Sequence, residues 1–318
     1  MRVIFFLGLL LLSVVSLFLG PVKTNPFHLD HQALSIIWEF RLPRVVFAAV
    51  NGAMLGLSGS LYQLVLRNPL ADGFTTGTAS ASALGAVIAI SLGFPAFLVP
   101  LPALLGGMLG LLFVYRLSIR EGVVSPVTMI LAGIVVNIVS SSGISFLKYL
   151  CEESLSSVVF WLMGGFYLVD WLKVGVCLAV LLVVFFYCSA NALSFNLLAL
   201  DRYSATSSGV DVDATRKLLF VLSTVLVALS VSFTGIIGFV GLIVPHLARA
   251  LFGSQMGENI YYSTLMGAIL LVSADALCRV VIPQGSELPV GIVTSMVGGL
   301  FFLWLLFKRR EGLWYAEV

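Results

Sequence analysis

Apolar runs long enough to cross a bilayer, about 20 residues each, recur along nearly the whole chain, and no other feature limits its fold as tightly. They lie near 3–20, 43–66, 75–93, 95–115, 126–150, 171–190, 216–234, 236–253, 260–282 and 288–307. Water is not a plausible solvent for such a chain. Its residues are 60% apolar and 10% charged, whereas soluble domains carry roughly 25% charged residues. The expected fold is an all-α integral membrane protein of about ten transmembrane helices, forming one transmembrane domain over residues 1–318 with no folded soluble domain.

Two apolar segments need separate treatment. The opening, Met1 to Gly20, resembles a secretory signal, but its apolar run is too long for a signal core and no small-x-small site precedes Pro21. It reads as a first span that stays. The stretch Leu155 to Val169 is short for crossing and holds Gly164-Gly165, so it is assigned to an interfacial or re-entrant segment. Helix starts are signalled by Ser125-Pro126, a cap followed by proline in the first turn, and by Asp213 ahead of Arg216.

Orientation follows from the basic residues, which accumulate on cytoplasmic loops. With the N-terminus inside, Arg2, Arg67, Arg116, Arg120, Arg202, Arg216, Lys217, Arg249, Lys308, Arg309 and Arg310 face the cytoplasm. Lys23, Arg41, Arg44, Lys148, Lys173 and Arg279 face outward. Eleven against six places both termini in the cytoplasm. With five spans in each half, any internal repeat is of the inverted kind.

Several function classes drop out. A net charge of +2, scattered along the chain, gives no footprint for nucleic acid. The cysteines Cys151, Cys177, Cys188 and Cys278 show no CxxC spacing, so neither a disulfide framework nor a metal site is expected. An intramembrane enzyme would need a HExxH pair or a nucleophile beside a base, and the sequence holds neither. An ion-coupled secondary transporter would need buried acids near mid-membrane; Asp275 alone offers itself, and Arg279 shares its helical face.

Small residues cluster within the spans, at Gly52, Gly56 and Gly59, at Gly106 and Gly110, and at Gly235, Gly238 and Gly241. Such faces let helices approach closely in lipid, so Gly52, Gly56, Gly59, Gly106 and Gly110 are expected at helix contacts. His246, after Pro245, reads as a packing residue. The loop over 191–215 mixes a leucine face with polar positions; it is either a solvated connection or a pair of short interfacial helices shown to a soluble partner. Arg41 and Arg44 flank Pro43 just ahead of the second span, where they either snorkel or pair with carboxylates of an acidic partner.

Six motifs in order bear a family resemblance: RLPR at 41–44, RNPLADGFTTG at 67–77, LAG at 131–133, WLMGGF at 161–166, GFVGLIVPHLAR at 238–249 and ELPVG at 287–291. In these the chain resembles, over nearly its whole length, the permease subunits of type II ABC importers for iron-siderophores, haem and cobalamin. The resemblance implies a homodimer around a central pore in the cytoplasmic (inner) membrane of a bacterium or archaeon. An extracytoplasmic substrate-binding protein would feed it, and two cytoplasmic ATP-binding subunits would drive it. ATP and Mg would sit on those partners and no cofactor on this chain, which has no GxxxxGK[ST] loop. It further implies docking of the binding protein at Arg41, Arg44 and Arg279, and coupling to the ATP-binding subunit through Leu200, Asp201, Ala205, Gly209 and Val210. Departures fall at GFTTGTAS (73–80) and at the 21–40 segment with His28 and His31. Cobalamin and molybdate-like oxyanions stand as alternative cargoes beside iron-siderophore and haem.

Overall fold

The structure, a computed structural model, describes residues 2–20, 30–120, 123–200, 202–282 and 287–309. Each of the ten apolar runs coincides with a helix. These are α1 (Arg2–Phe18), α3 (Leu42–Leu66), α4 (Thr78–Ser91), α5 (Pro100–Ser118), α6 (Pro126–Leu150), α8 (Trp171–Ala190), α11 (Val212–Thr234), α12 (Val240–Phe252), α13 (Met256–Val280) and α14 (Val290–Arg309). Among the described residues six helices are long and apolar enough to cross a membrane, while α1, α4, α12 and the described side chains of α14 form shorter apolar helices. The remaining elements are short: α2 (His31–Ile36), α7 (Leu155–Leu162), α9 (Ala192–Ala199), α10 (Arg202–Ser207) and a two-stranded turn of β1 (Ile119–Arg120) with β2 (Val123–Val124). A helical architecture is what lipid demands, since helices satisfy their backbone groups internally.

Helix α3 is the axis of the bundle. In its apolar window 89% of residues are buried, against 28% for α6 and α8, so α3 is walled by protein while α6 and α8 turn apolar side chains outward. It packs on α13, α11, α12 and α8. Small residues allow this: a Cβ at Gly52 would collide with the Gly267 carbonyl, one at Gly56 with the Ser263 carbonyl and one at Gly59 with the Gly241 backbone. Gly106 on α5 meets Ala81 of α4 in the same way, and a Cβ at Gly110 would lie 2.8 Å from that of Ala81. Ahead of α3 the backbone widens into a π turn over Ile37–Arg41, just before Pro43, which has no N–H to bond back into the preceding turn.

Contacts between elements sort the helix ends into two sets. At one end Arg279 meets Ser16 and Leu19, Arg41 meets Leu17 and Gly165 meets Thr234. At the other, Arg67 meets Leu198, Met256 meets Asn196 and Arg2 meets Glu258. The segment over 155–169 does not traverse: α7 spans only 8 residues and returns to the end it left.

Helix starts follow local chemistry. The Ser125 hydroxyl accepts the Thr128 N–H and Pro126 follows it. Asp170 caps α8 by accepting the Lys173 N–H at 2.8 Å. The expectation that Asp213 caps α11 is corrected: Asp211 is the cap, accepting the Ala214 N–H at 3.0 Å. Asp213 lies inside the first turn, where its carboxylate takes the Val124 N–H of the β1–β2 turn and the guanidinium of Arg202.

Candidate functional site

The first end of the bundle carries a cluster of three arginines and two carboxylates. Arg44 donates from Nε to Asp275 Oδ1 at 2.9 Å and from Nη1 to Glu287 Oε2 at 2.6 Å. Arg279, one helical turn from Asp275, approaches its Oδ2 at 3.0 Å and donates to the Ser16 and Leu19 carbonyls at 3.0 and 2.8 Å. Arg41 donates to the Leu17 carbonyl at 2.9 Å. The chemistry is coherent. The last carbonyls of α1 have no partners inside that helix, and its C-terminus carries partial negative charge; two guanidiniums supply both donors and countercharge. Asp275 is fully buried, and a buried carboxylate persists only when paired; here two arginines hold it.

The arginines expected to dock a partner therefore do lie side by side, but their principal acceptors belong to this chain. Arg41 and Arg279 are buried, and Arg44 keeps 15% of its side chain exposed beside Glu287 at 21%. Glu287, the partner of Arg44, escaped the sequence reading. Its presence in ELPVG was the available signal. His28, expected near this end, lies outside the described residues.

Beside the cluster opens a cavity of about 1050 Å³. The α4–α5 link contributes Phe94 and Pro100, the end of α6 and the turn after it Tyr149, Glu152 and Glu153, α7 Phe160 and Trp161, and the end of α11 Phe233 and Thr234. Aromatic faces alternate with carboxylates and hydroxyls, a lining suited to a bulky guest with apolar and polar portions.

Below it three segments meet backbone to backbone. The Gly165 N–H donates to the Thr234 carbonyl at 2.8 Å and the Gly291 N–H to the Gly164 carbonyl at 3.2 Å. Cβ atoms at Gly164 or Gly291 would strike the Ile236 carbonyl, and one at Gly235 the Trp161 carbonyl. Gly164 and Gly235 hold φ of +67° and +69°, a region closed to most residues with a Cβ. This junction unites WLMGGF, the turn opening GFVGLIVPHLAR, and ELPVG. A second junction unites RNPLADGFTTG with LAG: Gly77, at φ +76°, packs where a Cβ would come within 2.7 Å of the Gly133 carbonyl. The turn before it is fixed by Asp72, whose Oδ1 accepts the Phe74 and Thr75 N–H groups at 3.0 and 2.9 Å. With the Arg44–Glu287 pair joining RLPR to ELPVG, the six motifs are contact partners in space.

A polar seam runs along α3. Tyr62 shares its hydroxyl with Thr78 at 3.1 Å and Thr224 at 2.8 Å, Ser230 donates to Asn51 at 2.8 Å, and Gln63 meets Arg249. His246 stands edge-on to Phe301, with ring centroids 6.2 Å apart, a packing position.

At the second end α9 and α10 form a helical hairpin over most of the expected 191–215 loop. Phe195, Leu198 and Ala205 are buried and hold it to the bundle, while Leu200 and Tyr203 stand exposed. Of the expected coupling residues, Ala205 thus serves the anchor side and Val210 packs partly against the core. Gly209 turns at φ +84° with open space around it, and Asp201 lies outside the described residues. The exposed Tyr203 was not singled out by the sequence.

Comparison with known proteins gives the same reading throughout. The model of the FecCD transport family matches residues 8–308. A cobalamin import system permease protein of Halobacterium salinarum is 37% identical, over 89% of this chain and 76% of its own. A hemin transport system permease protein of Yersinia pestis is 34% identical over 96% of each. A solved structure of a metal-chelate type ABC transporter in an inward-facing conformation superposes with a TM-score of 0.89 at 33% identity, covering 96% of this chain and 98% of the other. On a match that takes in all the motif junctions described above, this multi-pass membrane protein belongs to the FecCD transport family, whose members are permease subunits of ABC importers with the ATPase on a separate subunit.

Proposed function

We propose that the chain is one half of a homodimeric permease that imports a metal chelate, iron-siderophore or haem, received from an extracytoplasmic binding protein. Two ATP-binding subunits at the α9–α10 end would drive it. The observation that carries the reading is the division of the bundle into two unlike ends, with the large mixed cavity and arginine cluster on one and the anchored hairpin with exposed Leu200 and Tyr203 on the other. In this reading the ten helices act as ten spans, and the excess of Arg and Lys at the hairpin end supports a cytoplasmic location for that end and both termini, in a bacterial or archaeal inner membrane.

Packing is what supports a dimer in this reading. The centre of the bundle is filled by α3, so one copy offers no passage along its own axis. The cavity lies at a flank between α4, α6, α7 and α11, where a second copy supplies the missing wall. A lining of this size favours a chelate over an oxyanion, with cobalamin the nearest alternative. Docking centres on Arg44 and Glu287 at the rim, where a carboxylate of the binding protein could take Glu287's place; Arg41 and Arg279 frame that rim from inside. Coupling centres on Leu200 and the Gly209 turn, in the same stretch of sequence as Asp201.

The ion-coupled alternative loses ground on Asp275, whose carboxylate is already paired with Arg44 and Arg279. The test is ATP-driven uptake by vesicles holding the assembled complex, supplied in turn with binding protein loaded with ferric siderophore, haem, cobalamin or molybdate. Transport of a chelate is expected; transport of molybdate alone would overturn the substrate class.

A further inference from the structure

Two smaller cavities lie on the flank of the bundle, away from the large cavity already described. One, of about 230 Å³, is a nearly wholly apolar slot between α1, α3, α8 and α13, walled by Leu9, Ala53, Leu181 and Leu265. The other, of about 320 Å³, sits at the hairpin end and is mixed, with the polar Arg2, Ser189, Asn196, Gln255 and Glu258 beside Ala192 and Leu193 in its wall. Phe185 and Tyr261 line both. An apolar slot thus adjoins a pocket that carries charged and amide groups, in the order in which a membrane lipid presents an acyl chain and a headgroup.

We infer that this seam binds a zwitterionic glycerophospholipid carrying a primary amine. The slot takes part of an acyl chain. In the pocket Arg2 pairs with Glu258, and its guanidinium lies 5.0 Å from the centroid of the Tyr261 ring. Arg2 retains N–H donors beyond the one used on Glu258, and the carboxylate retains lone pairs. A phosphate can join the guanidinium while an ammonium joins the carboxylate, giving charge-assisted hydrogen bonds to both. Among the described residues its wall holds one charge of each sign, Arg2 and Glu258, so it matches a zwitterion. Basic pockets between transmembrane helices select anionic headgroups, and here Glu258 opposes them. A trimethylammonium headgroup has no N–H to give Glu258. The lipid stands where α1, whose side chains are mostly exposed, leaves α8 unsealed. The inference requires only that the chain lies in a membrane and is independent of the transported cargo.

The test is native mass spectrometry of the full-length protein, purified with its accompanying subunits and incubated with equal amounts of phosphatidylethanolamine, phosphatidylcholine and phosphatidylglycerol. Retention of phosphatidylethanolamine about tenfold or more above the other two is expected, the ratio that one charge-assisted hydrogen bond supports. Glu258→Gln should reverse the preference toward phosphatidylglycerol by freeing Arg2. Arg2→Gln, at an exposed helix start, should lower retention of both. Equal retention of phosphatidylcholine, or a preference unmoved by both substitutions, would overturn the proposal.

Discussion

Asp275 is the residue on which the first end of the bundle turns. It is buried against Arg44 and Arg279, so Asp275→Asn strands two guanidiniums, and removing one partner of a buried pair costs about 3–5 kcal/mol. Glu287 holds Arg44 from a more exposed position, and Glu287→Gln should cost about 1 kcal/mol or less. Thermal unfolding of the detergent-solubilised protein should therefore separate the two variants by several degrees; equal losses would mean that burial does not govern the cluster. The sequence disclosed only the local part of this arrangement. Asp275 and Arg279 are one turn apart and had to meet, whereas Arg44 reaches Asp275 and Glu287 across more than two hundred residues. Arg41 and Arg279 also donate to main-chain carbonyls of α1 and the residue after it, which leave no mark on residue identity. For that reason the sequence could mark these arginines as a group near one end of the bundle but not the acceptors they meet inside this chain.

Among the elements, glycine marks where helices touch. Gly59→Leu would drive a side chain into the Gly241 backbone, which cannot yield as a side chain can, whereas a Cβ added to Gly8 on α1 would meet no atom within 4 Å. Gly59→Leu should exceed the roughly 1–3 kcal/mol of ordinary overpacking and leave little folded protein in the membrane. Gly8→Leu should change stability by about 0.5 kcal/mol or less. Comparable yields of the two variants would contradict the packing described. At the three-segment junction, Gly164→Ala adds a left-handed backbone cost of about 1–2 kcal/mol to the clash with Ile236, and loss of the folded state is expected in the same assay. Hydropathy was enough to locate α6 and α8 to the residue, because each ends where polar residues begin. It failed by several residues at α11, since Asp211 and Asp213 both suit a cap and the choice was made by a tertiary contact of Asp213 with Val124 and Arg202. The π turn ahead of α3 and the left-handed Phe239 that opens α12 are likewise products of packing.

Across the whole molecule, the motifs that announced the family in sequence are the places where the chain crosses itself, so motif order was legible but motif pairing was not. At the hairpin end Phe195, Leu198 and Ala205 anchor the segment and Leu200 and Tyr203 project from it, the arrangement that the proposed coupling to an ATP-binding subunit uses. Replacing both projecting residues with glutamate should release the ATP-binding subunit during purification while leaving the permease folded, because neither side chain is part of the core. Retention of the subunit with full transport would assign the contact elsewhere. The central claim is that this chain is a conduit powered by a nucleotide-hydrolysing partner. The direct measurement is chelate uptake into proteoliposomes containing the chain alone, under an imposed proton or sodium gradient, beside vesicles containing the chain with its ATP-binding subunits, binding protein and ATP. Uptake only in the second set is the predicted result, and gradient-driven uptake by the chain alone would contradict the account.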